Sequence, residues 1–215
     1  MTQTLKIKET YPAILGESSR AGYPCVIVRL AGCNLRCSYC DTTYAYTGGR
    51  TRKTEDIIRS VKRHKIDRIL LTGGEPLIQP PALRLLSAMA RAGFKPVLET
   101  NGSMDIAGVP KKVNIVMDLK TPGSGFCDRN RLENLDHLKP DDEIKFVLTD
   151  QKDYLWAKKM IADHDLLARF QVILSPAGDM LPPDLLARWM LKDRLQARLG
   201  LQVHKYIFGS EARRV

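Results

Sequence analysis

The sequence predicts an α/β fold: a partial, open parallel β/α barrel of about six strands with helices outside. Short β-branched apolar segments alternate with helical segments, which indicates βαβ units and a parallel sheet. Cysteine, glycine and other polar segments come directly after the strands, at the sheet edge where parallel α/β folds carry their sites. Six strands are too few to close an eight-stranded barrel. The length of 215 residues suits one domain, residues 1–215.

Six segments have the length and the apolar, β-branched character of buried strands. A further short strand is predicted near the C-terminus, at 201–207, and residues 1–22 form a short extension before the first strand. The six strands are predicted at 25–31, 67–71, 95–99, 113–119, 143–148 and 170–174.

Four segments have helical spacing of their apolar residues. Thr54 is a candidate N-cap of the first helix, and Gly93 is a candidate stop after the second. The helices are predicted at 54–64, 82–92, 154–167 and 184–199.

The formal net charge of +10 fits nucleic-acid or small-anion binding, but the cations are spread along the chain. The densest runs, 50–53 and 62–65, lie beside or within a predicted helix, so a solvated helix face explains them. No apolar run approaches the roughly 18 residues that span a bilayer. The first ten residues lack the apolar core of a secretory signal, so we expect a cytoplasmic protein.

Three of the five cysteines, Cys33, Cys37 and Cys40, form a C-x3-C-x2-C pattern after the first predicted strand. Zinc sites and ferredoxin-type clusters usually take four protein ligands, and here only Cys127, in a different loop, is available as a fourth. Three thiolates on a 4Fe–4S cluster leave one iron open for a ligand. A structural zinc site and a chance pattern are the alternatives.

A glycine turn, Gly73-Gly74-Glu75-Pro76, follows the second predicted strand. Two glycines at this position let the backbone approach a ligand closely, although the same four residues can form an ordinary turn. Together, the cysteine loop, with Tyr39 before its last cysteine, and the glycine turn resemble the two signatures of the radical S-adenosylmethionine superfamily. That resemblance implies a 4Fe–4S cluster on the three cysteines and S-adenosylmethionine on the open iron.

Further segments resemble one branch of this superfamily, the 7-carboxy-7-deazaguanine synthase family: 14–17, 28–35, 40–42, 72–77, 99–102 and 204–205. The resemblance covers nearly the whole chain. It implies conversion of 6-carboxy-5,6,7,8-tetrahydropterin to 7-carboxy-7-deazaguanine with loss of ammonia, in queuosine and 7-deazapurine biosynthesis. It also implies a Mg²⁺ requirement, an electron donor such as flavodoxin or ferredoxin, and a homodimer. No membrane and no direct nucleic-acid contact are expected.

The resemblance also assigns site residues, and the N-terminal extension is expected to contribute to the substrate pocket. Arg29 suits the pterin carboxylate, because its planar fork matches a carboxylate, although a surface role is equally open. Thr42 is implied as the Mg²⁺ ligand, with Asp41 either an outer-shell group or a turn cap. The implied cofactor contacts are Gly74, Asp118, Leu119, Lys120 and Ser175, and the implied substrate contacts are Ile14, Leu15, Gly16, Arg29, Thr72 and Val215.

Two positions depart from that family, which often has Gln at Leu15 and Gly at Ser18. Backbone contacts at 14–16 survive these changes, whereas a side-chain contact to the pterin does not. Two other functions remain open from the sequence. One is an activase that places a glycyl radical on a partner protein, and the other is an RNA-binding protein with a structural metal site.

Overall fold

The computed structural model describes residues 3–209, and in these residues nine strands form one sheet. The sheet is open, with β3 and β9 at its two ends, in the order β3-β1-β2-β4-β5-β6-β7-β8-β9. All neighbours from β2 to β9 are parallel, whereas β1 is antiparallel to both β2 and β3. The strands are β1 (Thr4–Ile14), β2 (Pro24–Leu30), β3 (Arg50–Lys53), β4 (Arg68–Gly73), β5 (Lys95–Thr100), β6 (Asn114–Asp118), β7 (Glu143–Leu148), β8 (Gln171–Pro176) and β9 (Arg198–Leu199).

The six predicted parallel strands are confirmed as β2 and β4 to β8, each within a few residues of its expected position. The N-terminal strand β1 and the edge strand β3 were not predicted. Only Leu5 and Ile7 of β1 are buried, and every residue of β3 is exposed, so neither has the apolar pattern of a core strand. Their pairing with each other and with β2 creates these strands.

Six helices accompany the sheet in the described residues. The first two agree with the prediction, and Gly93 ends the second with φ +86. Thr54 is not the N-cap as predicted; Lys53 occupies that position and makes no side-chain cap bond. The helices are α1 (Thr54–Lys62), α2 (Pro81–Arg91), α3 (Gln151–Asp163), α4 (Leu166–Arg169), α5 (Pro183–Lys192) and α6 (Val203–Phe208).

The C-terminal third differs most from the prediction. The helix expected at 154–167 is divided into α3 and α4 by Asp165, which has φ +50. The helix expected at 184–199 ends at Lys192, because the chain turns through Arg194 at φ +52. The strand expected at 201–207 is wrong: the short β9 lies earlier, and α6 follows it. The Val203 amide donates to the Gly16 carbonyl at 2.9 Å, so this segment leaves the sheet for the barrel mouth.

The two faces of the sheet are unlike each other. On the outer face, apolar side chains such as Val28 and Leu71 join the helices in the main core. On the inner face, a smaller apolar cluster fills the base of the barrel. It consists of Leu15, Cys25, Ile27, Leu70, Val97 and Val116. Because successive side chains alternate between faces, the next inner positions toward the carboxyl ends are polar: Arg29, Thr72, Glu99 and Asp118.

Candidate functional site

The cysteine loop leaves β2 at the carboxyl edge of the sheet and holds three half-buried thiols. Its backbone is held by Gly32, whose amide donates to the Ala45 carbonyl at 2.8 Å. The Cys40 amide donates to the Cys37 carbonyl at 3.2 Å, and the Leu35 amide donates to the Cys33 sulfur at 3.4 Å. The loop around Cys33, Cys37 and Cys40 therefore has a defined conformation.

The three thiols suit a multi-iron cluster better than a single ion. Burial raises the pKa of Cys33 and Cys37, and each of these thiols also feels the charge of Cys40. They are therefore neighbours. Within residues 3–209, however, no three Cys, His, Asp or Glu side chains converge closely enough to hold one metal ion. A cubane takes each thiolate on a different iron, so its ligands need not converge on one point.

The glycine turn packs directly on the cysteine loop. The Glu75 amide donates to the Gly32 carbonyl at 2.9 Å. A methyl group added at Gly74 would overlap the Gly32 carbonyl and the Cys33 side chain, and one at Gly73 would overlap the Leu30 backbone. Gly73 also has φ +152, which L side chains rarely adopt. The two sequence patterns therefore form one site, and the glycines are needed for close packing at their junction.

Glu75 is a fully buried carboxylate that joins the turns after β4 and β5. It accepts hydrogen bonds from the amides of Leu77 at 2.9 Å and Asn101 at 2.6 Å, and from the Thr100 hydroxyl at 3.0 Å. Burial raises the pKa of Glu75. Asn101, held in this way, directs its side-chain amide toward the Cys33 sulfur at 4.0 Å. The sequence pattern marked Glu75 as part of a turn but did not reveal this organising role.

Arg29 lies on the inner face of β2, as alternation predicts, but it already has a protein partner. Its Nε lies 2.8 Å from Glu9 of β1, and its side chain is 14% exposed. The Tyr44 hydroxyl donates to the same carboxylate at 2.7 Å. The interpretation of Arg29 as a surface residue at a strand end is therefore wrong. Glu9 was missed because nothing in an exposed, charged N-terminal segment marks one carboxylate as an inward partner.

Thr72 occupies the inner face of the neighbouring strand, level with Arg29 in the parallel register. Its hydroxyl donates to Glu99 of β5 at 2.8 Å. Burial raises the pKa of Glu99, and the positive charge of Lys145 on β7 acts in the opposite direction. The mouth of the barrel therefore carries alternating charged and hydroxyl groups, a lining suited to a polar heterocycle.

The residues after β6 lie beside the thiols. Lys120 is buried, pairs with Asp118 at 2.7 Å, and lies 5.7 Å from the Tyr39 ring centroid, so it is not a solvated lysine. Among the described residues, the Tyr39 hydroxyl and Asp118 Oδ1 are buried without a hydrogen-bond partner. Such orphaned polar atoms next to the cysteine loop fit a bound polar cofactor.

Leu119 and Ser175 contribute differently. The Leu119 side chain is fully buried in the main core, and its amide donates to the Lys145 carbonyl at 2.9 Å. Leu119 therefore packs the fold beneath the site and offers no side chain to a ligand. Ser175 lies on β8, level with Val147 of β7, and closely approaches Gly200.

The N-terminal extension leads into the barrel, and the Leu15 side chain belongs to the apolar cluster at its base. Leu15 is 1% exposed, and its amide and carbonyl are bonded to Tyr23 and Gly22 at 2.9 Å each. The Leu15 side chain therefore packs the fold, and the implied substrate contact at Leu15 stays a prediction. Ile14 is half-buried at the end of β1. Gly16 lies against the imidazole of His204.

The extension and the C-terminal helix meet at the mouth through charged residues. Lys145 pairs with Glu17 at 2.7 Å, and Gln202 donates to Glu17 at 2.6 Å. Gln202 also lies 3.2 Å from Asp41, and Lys205 pairs with Asp41 at 3.1 Å. No sequence pattern marks Glu17 or Gln202 as a site residue, although Glu17 lies in a segment that carries the family resemblance. Val215 lies outside the described residues.

Thr42 is half-buried two residues after Cys40, and its hydroxyl donates to Asp41 at 2.9 Å. Burial acts to raise the pKa of Asp41, but Lys205 and hydrogen bonds from Thr42 and Gln202 together lower it to about 2. A hydroxyl and an ionised carboxylate therefore lie side by side at the rim of the cysteine loop. Hard oxygen ligands of this kind are the ones that Mg²⁺ prefers.

The radical SAM superfamily model matches residues 27–122, which include both the cysteine loop and the glycine turn. The fold and this site thus define a protein of the radical SAM superfamily. The solved structure of QueE from Escherichia coli superimposes with a TM-score of 0.76, covering 93% of this chain and 94% of that one at 20% identity. At that identity, the likeness bears on the fold, and it agrees with an open partial barrel.

Full-length relatives narrow the assignment. The 7-carboxy-7-deazaguanine synthase of Chlorobaculum tepidum is 42% identical over 214 residues, covering 98% of this chain and 97% of the relative. That of Koribacter versatilis is 39% identical over 226 residues, covering 98% and 100%. The chain therefore belongs to the 7-carboxy-7-deazaguanine synthase family. Superfamily membership implies a 4Fe–4S cluster and S-adenosylmethionine, and neither the activase nor the RNA-binding alternative is favoured.

Proposed function

We propose that this chain converts 6-carboxy-5,6,7,8-tetrahydropterin to 7-carboxy-7-deazaguanine with loss of ammonia, as a carbon–nitrogen lyase of 7-deazapurine biosynthesis. One observation carries the proposal: the cysteine loop and the glycine turn are bonded to each other above a barrel mouth lined with polar side chains. A radical generated at the loop can reach a heterocycle held in that mouth. Full-length relatives named as 7-carboxy-7-deazaguanine synthases support the same product.

In this proposal, Cys33, Cys37 and Cys40 hold the 4Fe–4S cluster. When bound, the cluster and S-adenosylmethionine supply reductive cleavage of a carbon–sulfur bond and so a radical that abstracts hydrogen. The Leu35 amide and the Asn101 side chain offer N–H groups to the Cys33 sulfur, and such bonds tune cluster potentials.

The cofactor is expected to lie between the glycine turn and the end of β6. Gly74 offers backbone atoms without a side chain in the way, and Ser175 offers a hydroxyl from β8. Asp118 Oδ1 and the Tyr39 hydroxyl, buried and unpartnered within residues 3–209, are available for its polar groups. Lys120 holds the Asp118 carboxylate in place through their 2.7 Å pair.

The pterin is expected in the barrel mouth. Arg29 supplies the guanidinium for its carboxylate, oriented by Glu9, and Thr72 supplies a hydroxyl oriented by Glu99. Ile14 and Gly16 contribute backbone groups from the extension. The Val215 contact, which lies outside the described residues, remains part of the proposal.

Thr42 is proposed as the protein ligand of Mg²⁺, with Asp41 in support. A neutral hydroxyl is a weak ligand by itself, so the substrate carboxylate is expected to complete the site. An electron donor such as flavodoxin or ferredoxin reduces the cluster. The proposed oligomer is a homodimer, for which the exposed Tyr206, Ile207 and Phe208 of α6 offer apolar area.

The test is anaerobic reconstitution followed by turnover. Protein reconstituted with iron and sulfide is expected to be brown, with about four irons per chain. Incubation with the carboxytetrahydropterin, S-adenosylmethionine, Mg²⁺ and a strong reductant is then expected to release 7-carboxy-7-deazaguanine and ammonia in equal amounts. Cofactor cleavage without either product would contradict the proposed substrate. A colourless protein that binds zinc would contradict the radical chemistry.

A further inference from the structure

An exposed, positively charged edge of the sheet lies beside the cysteine loop. All four residues of β3 are exposed, and three of them are Arg or Lys. Adjacent cations come from β1 and from the cysteine loop itself. We call this surface the cationic edge: Lys6, Lys8, Arg36, Arg50, Arg52 and Lys53.

We propose that the cationic edge is the docking surface for a small acidic protein that delivers single electrons to the cluster. The inference rests on the proposed function, because only a reductively activated enzyme needs such a partner. It goes further by stating where on this chain the donor binds and which charges recognise it.

The geometry places the edge close to the cluster ligands. Arg50 of β3 is level with Ile7 of β1, and Ile7 is level with Leu30 of β2, three residues before Cys33. Two strand spacings separate Arg50 from Leu30, so their backbones are roughly 10 Å apart. The intervening turn is tight, since a methyl group added at Gly49 would crowd the Ala31 side chain and the Ile7 carbonyl. A protein seated on β3 would therefore lie against the outside of the cysteine loop.

Arg36 links the edge to the cluster loop. It is exposed and lies between Cys33 and Cys37, and its Nη1 donates to the carbonyls of Cys33 at 2.9 Å and Leu35 at 2.7 Å. Its guanidinium lies 4.2 Å from the centroid of the Tyr46 ring. Burial raises the pKa of Tyr46, and its hydrogen bond to Cys40 adds to the shift. An acidic group that binds Arg36 would therefore lie close to two cluster ligands. Arg36 is bonded directly to Cys33 and reaches Cys40 through the Tyr46 ring.

The charge of the edge is not neutralised by the part of the chain that the structure describes. None of its six cations forms an ion pair within residues 3–209. Between positions 36 and 65 there are eight Arg or Lys residues and three Asp or Glu residues. Of those three, Asp41 is paired with Lys205 and Asp56 with Arg59. Complementarity therefore calls for an acidic partner, whose association such a surface accelerates.

An acidic protein fits this surface better than RNA does. Recognition of single-stranded RNA relies on exposed aromatic rings on which bases stack. The exposed aromatic residues of the described chain are Tyr23, Tyr206 and Phe208, and none belongs to the cationic edge. Tyr46, the aromatic residue in contact with Arg36, is only half-exposed and already has a cation over its ring.

The electron balance sets the partner's chemical class. Reductive cleavage of the sulfonium carbon–sulfur bond takes one electron from the reduced cluster, and the donor is oxidised by one electron when it reduces that cluster beforehand. A flavin semiquinone–hydroquinone couple or a single iron–sulfur centre on a small acidic protein supplies that stoichiometry. A small chemical reductant needs no docking surface. Comparing turnover with such a reductant and with a protein donor therefore distinguishes an effect on docking from an effect on catalysis.

The test compares two double variants with the same change of charge. Arg50→Glu with Arg52→Glu reverses the cationic edge, whereas Lys111→Glu with Lys112→Glu reverses two exposed cations just before β6, at the opposite end of the barrel. With reduced flavodoxin as donor, we expect the KM for flavodoxin to rise at least about tenfold in the first variant only. With titanium(III) citrate, we expect both variants to turn over as the wild type does.

Direct binding keeps this inference separate from the proposed substrate. Flavodoxin affinity, measured by biolayer interferometry at 50 and 200 mM salt, is expected to fall with salt in the wild type and the control variant. The affinity is expected to be weak at both concentrations in the edge variant. The proposal is overturned if the edge variant binds flavodoxin as tightly as the wild type does. It is also overturned if the wild type and the control variant bind a fluorescent RNA tightly and the edge variant does not. A different outcome would contradict the proposed function instead: flavodoxin binds as expected, but none of the three proteins forms product with titanium(III) citrate.

Discussion

The side-chain amide of Gln202 donates to the carboxylate of Glu17 over 2.6 Å, and this contact joins the two ends of the described chain at the barrel mouth. Glu17 also pairs with Lys145 of β7 at 2.7 Å. One carboxylate therefore holds the N-terminal extension, the sheet and the segment leading into α6 in a single arrangement around the candidate substrate pocket.

Replacing Glu17 with Gln is expected to destabilise the protein in a pH-dependent manner. Burial acts to raise the pKa of Glu17, but the Lys145 charge and the hydrogen bonds from Lys145 and Gln202 together lower it below its ordinary value of 4.5. The pair therefore stabilises the fold fully above pH 4.5 and loses its effect as the pH falls further. We expect Glu17→Gln to cost about 2 kcal/mol near pH 7, since removing one member of a largely buried pair leaves the other uncompensated. Urea unfolding from pH 7 to 3.5 measures this cost. The exposed Glu55→Gln is the control, and a cost that stays constant down to pH 3.5 would contradict the prediction.

Replacing any one of Cys33, Cys37 and Cys40 with Ala is expected to remove most of the iron and all turnover, because each thiolate holds one iron. Iron and sulfide content after anaerobic reconstitution, with the visible absorption spectrum, measures the effect. Cys127→Ala is the control, since this half-buried thiol lies in a different loop. Wild-type iron content in Cys37→Ala would show that the cluster ligands are assigned wrongly.

Arg29→Ala is expected to raise the KM for the pterin at least about tenfold, since a charge-assisted bond to a carboxylate typically contributes 1.5–3 kcal/mol. S-adenosylmethionine affinity and uncoupled cofactor cleavage are expected to persist. The exposed Arg59→Ala serves as the control. Parallel loss of pterin and cofactor binding would indicate that Arg29 and Glu9 act together only as a structural pair.

Thr42→Val is expected to weaken the response of turnover to Mg²⁺, because valine keeps the shape of threonine but lacks the oxygen. Metal and substrate are expected to bind with positive coupling, each raising the affinity of the other by the same factor. Turnover is measured against Mg²⁺ concentration after thorough chelation, with iron content as the control for cluster loss. Full activity of the wild type without divalent metal, or an unchanged Mg²⁺ profile in Thr42→Val, would exclude this role.

Ser18→Gly is expected to be more stable than Ser18→Ala by about 1 kcal/mol. Ser18 has φ +78, where an L side chain is strained, and its hydroxyl accepts a hydrogen bond from the Arg20 amide at 3.0 Å. Both substitutions remove that bond, but only glycine relieves the backbone strain. Urea unfolding of the two variants beside the wild type measures the difference. Equal stability, or a more stable alanine variant, would contradict the strain at this position.

The departures at Leu15 and Ser18 have separate structural explanations. The Leu15 side chain completes the apolar base of the barrel and does not face the mouth. Ser18 occupies a backbone conformation that favours glycine, which agrees with the glycine expected there from the family resemblance. Neither departure alters a group that faces the thiols.

The sequence by itself determined the parallel sheet and the location of the cysteine loop and glycine turn at its carboxyl edge. These features are encoded locally: apolar β-branched runs form the buried strands, and the cysteines and glycines directly follow two of them. Arg29, Thr72 and Asp118 could also be placed on the inner face from alternation alone.

Only the tertiary structure decided how the two ends of the chain close the site. The edge strand β3 has no buried residue, β1 has two, and α6 has none in the described chain, so no local apolar pattern marks these elements. Partners distant in sequence hold these elements in place: β3 pairs with β1, Glu9 of β1 pairs with Arg29, and Gln202, which precedes α6, donates to Glu17. The sequence does not distinguish a charged side chain that is solvated from one that pairs with a distant residue. Only the folded chain brings those partners together.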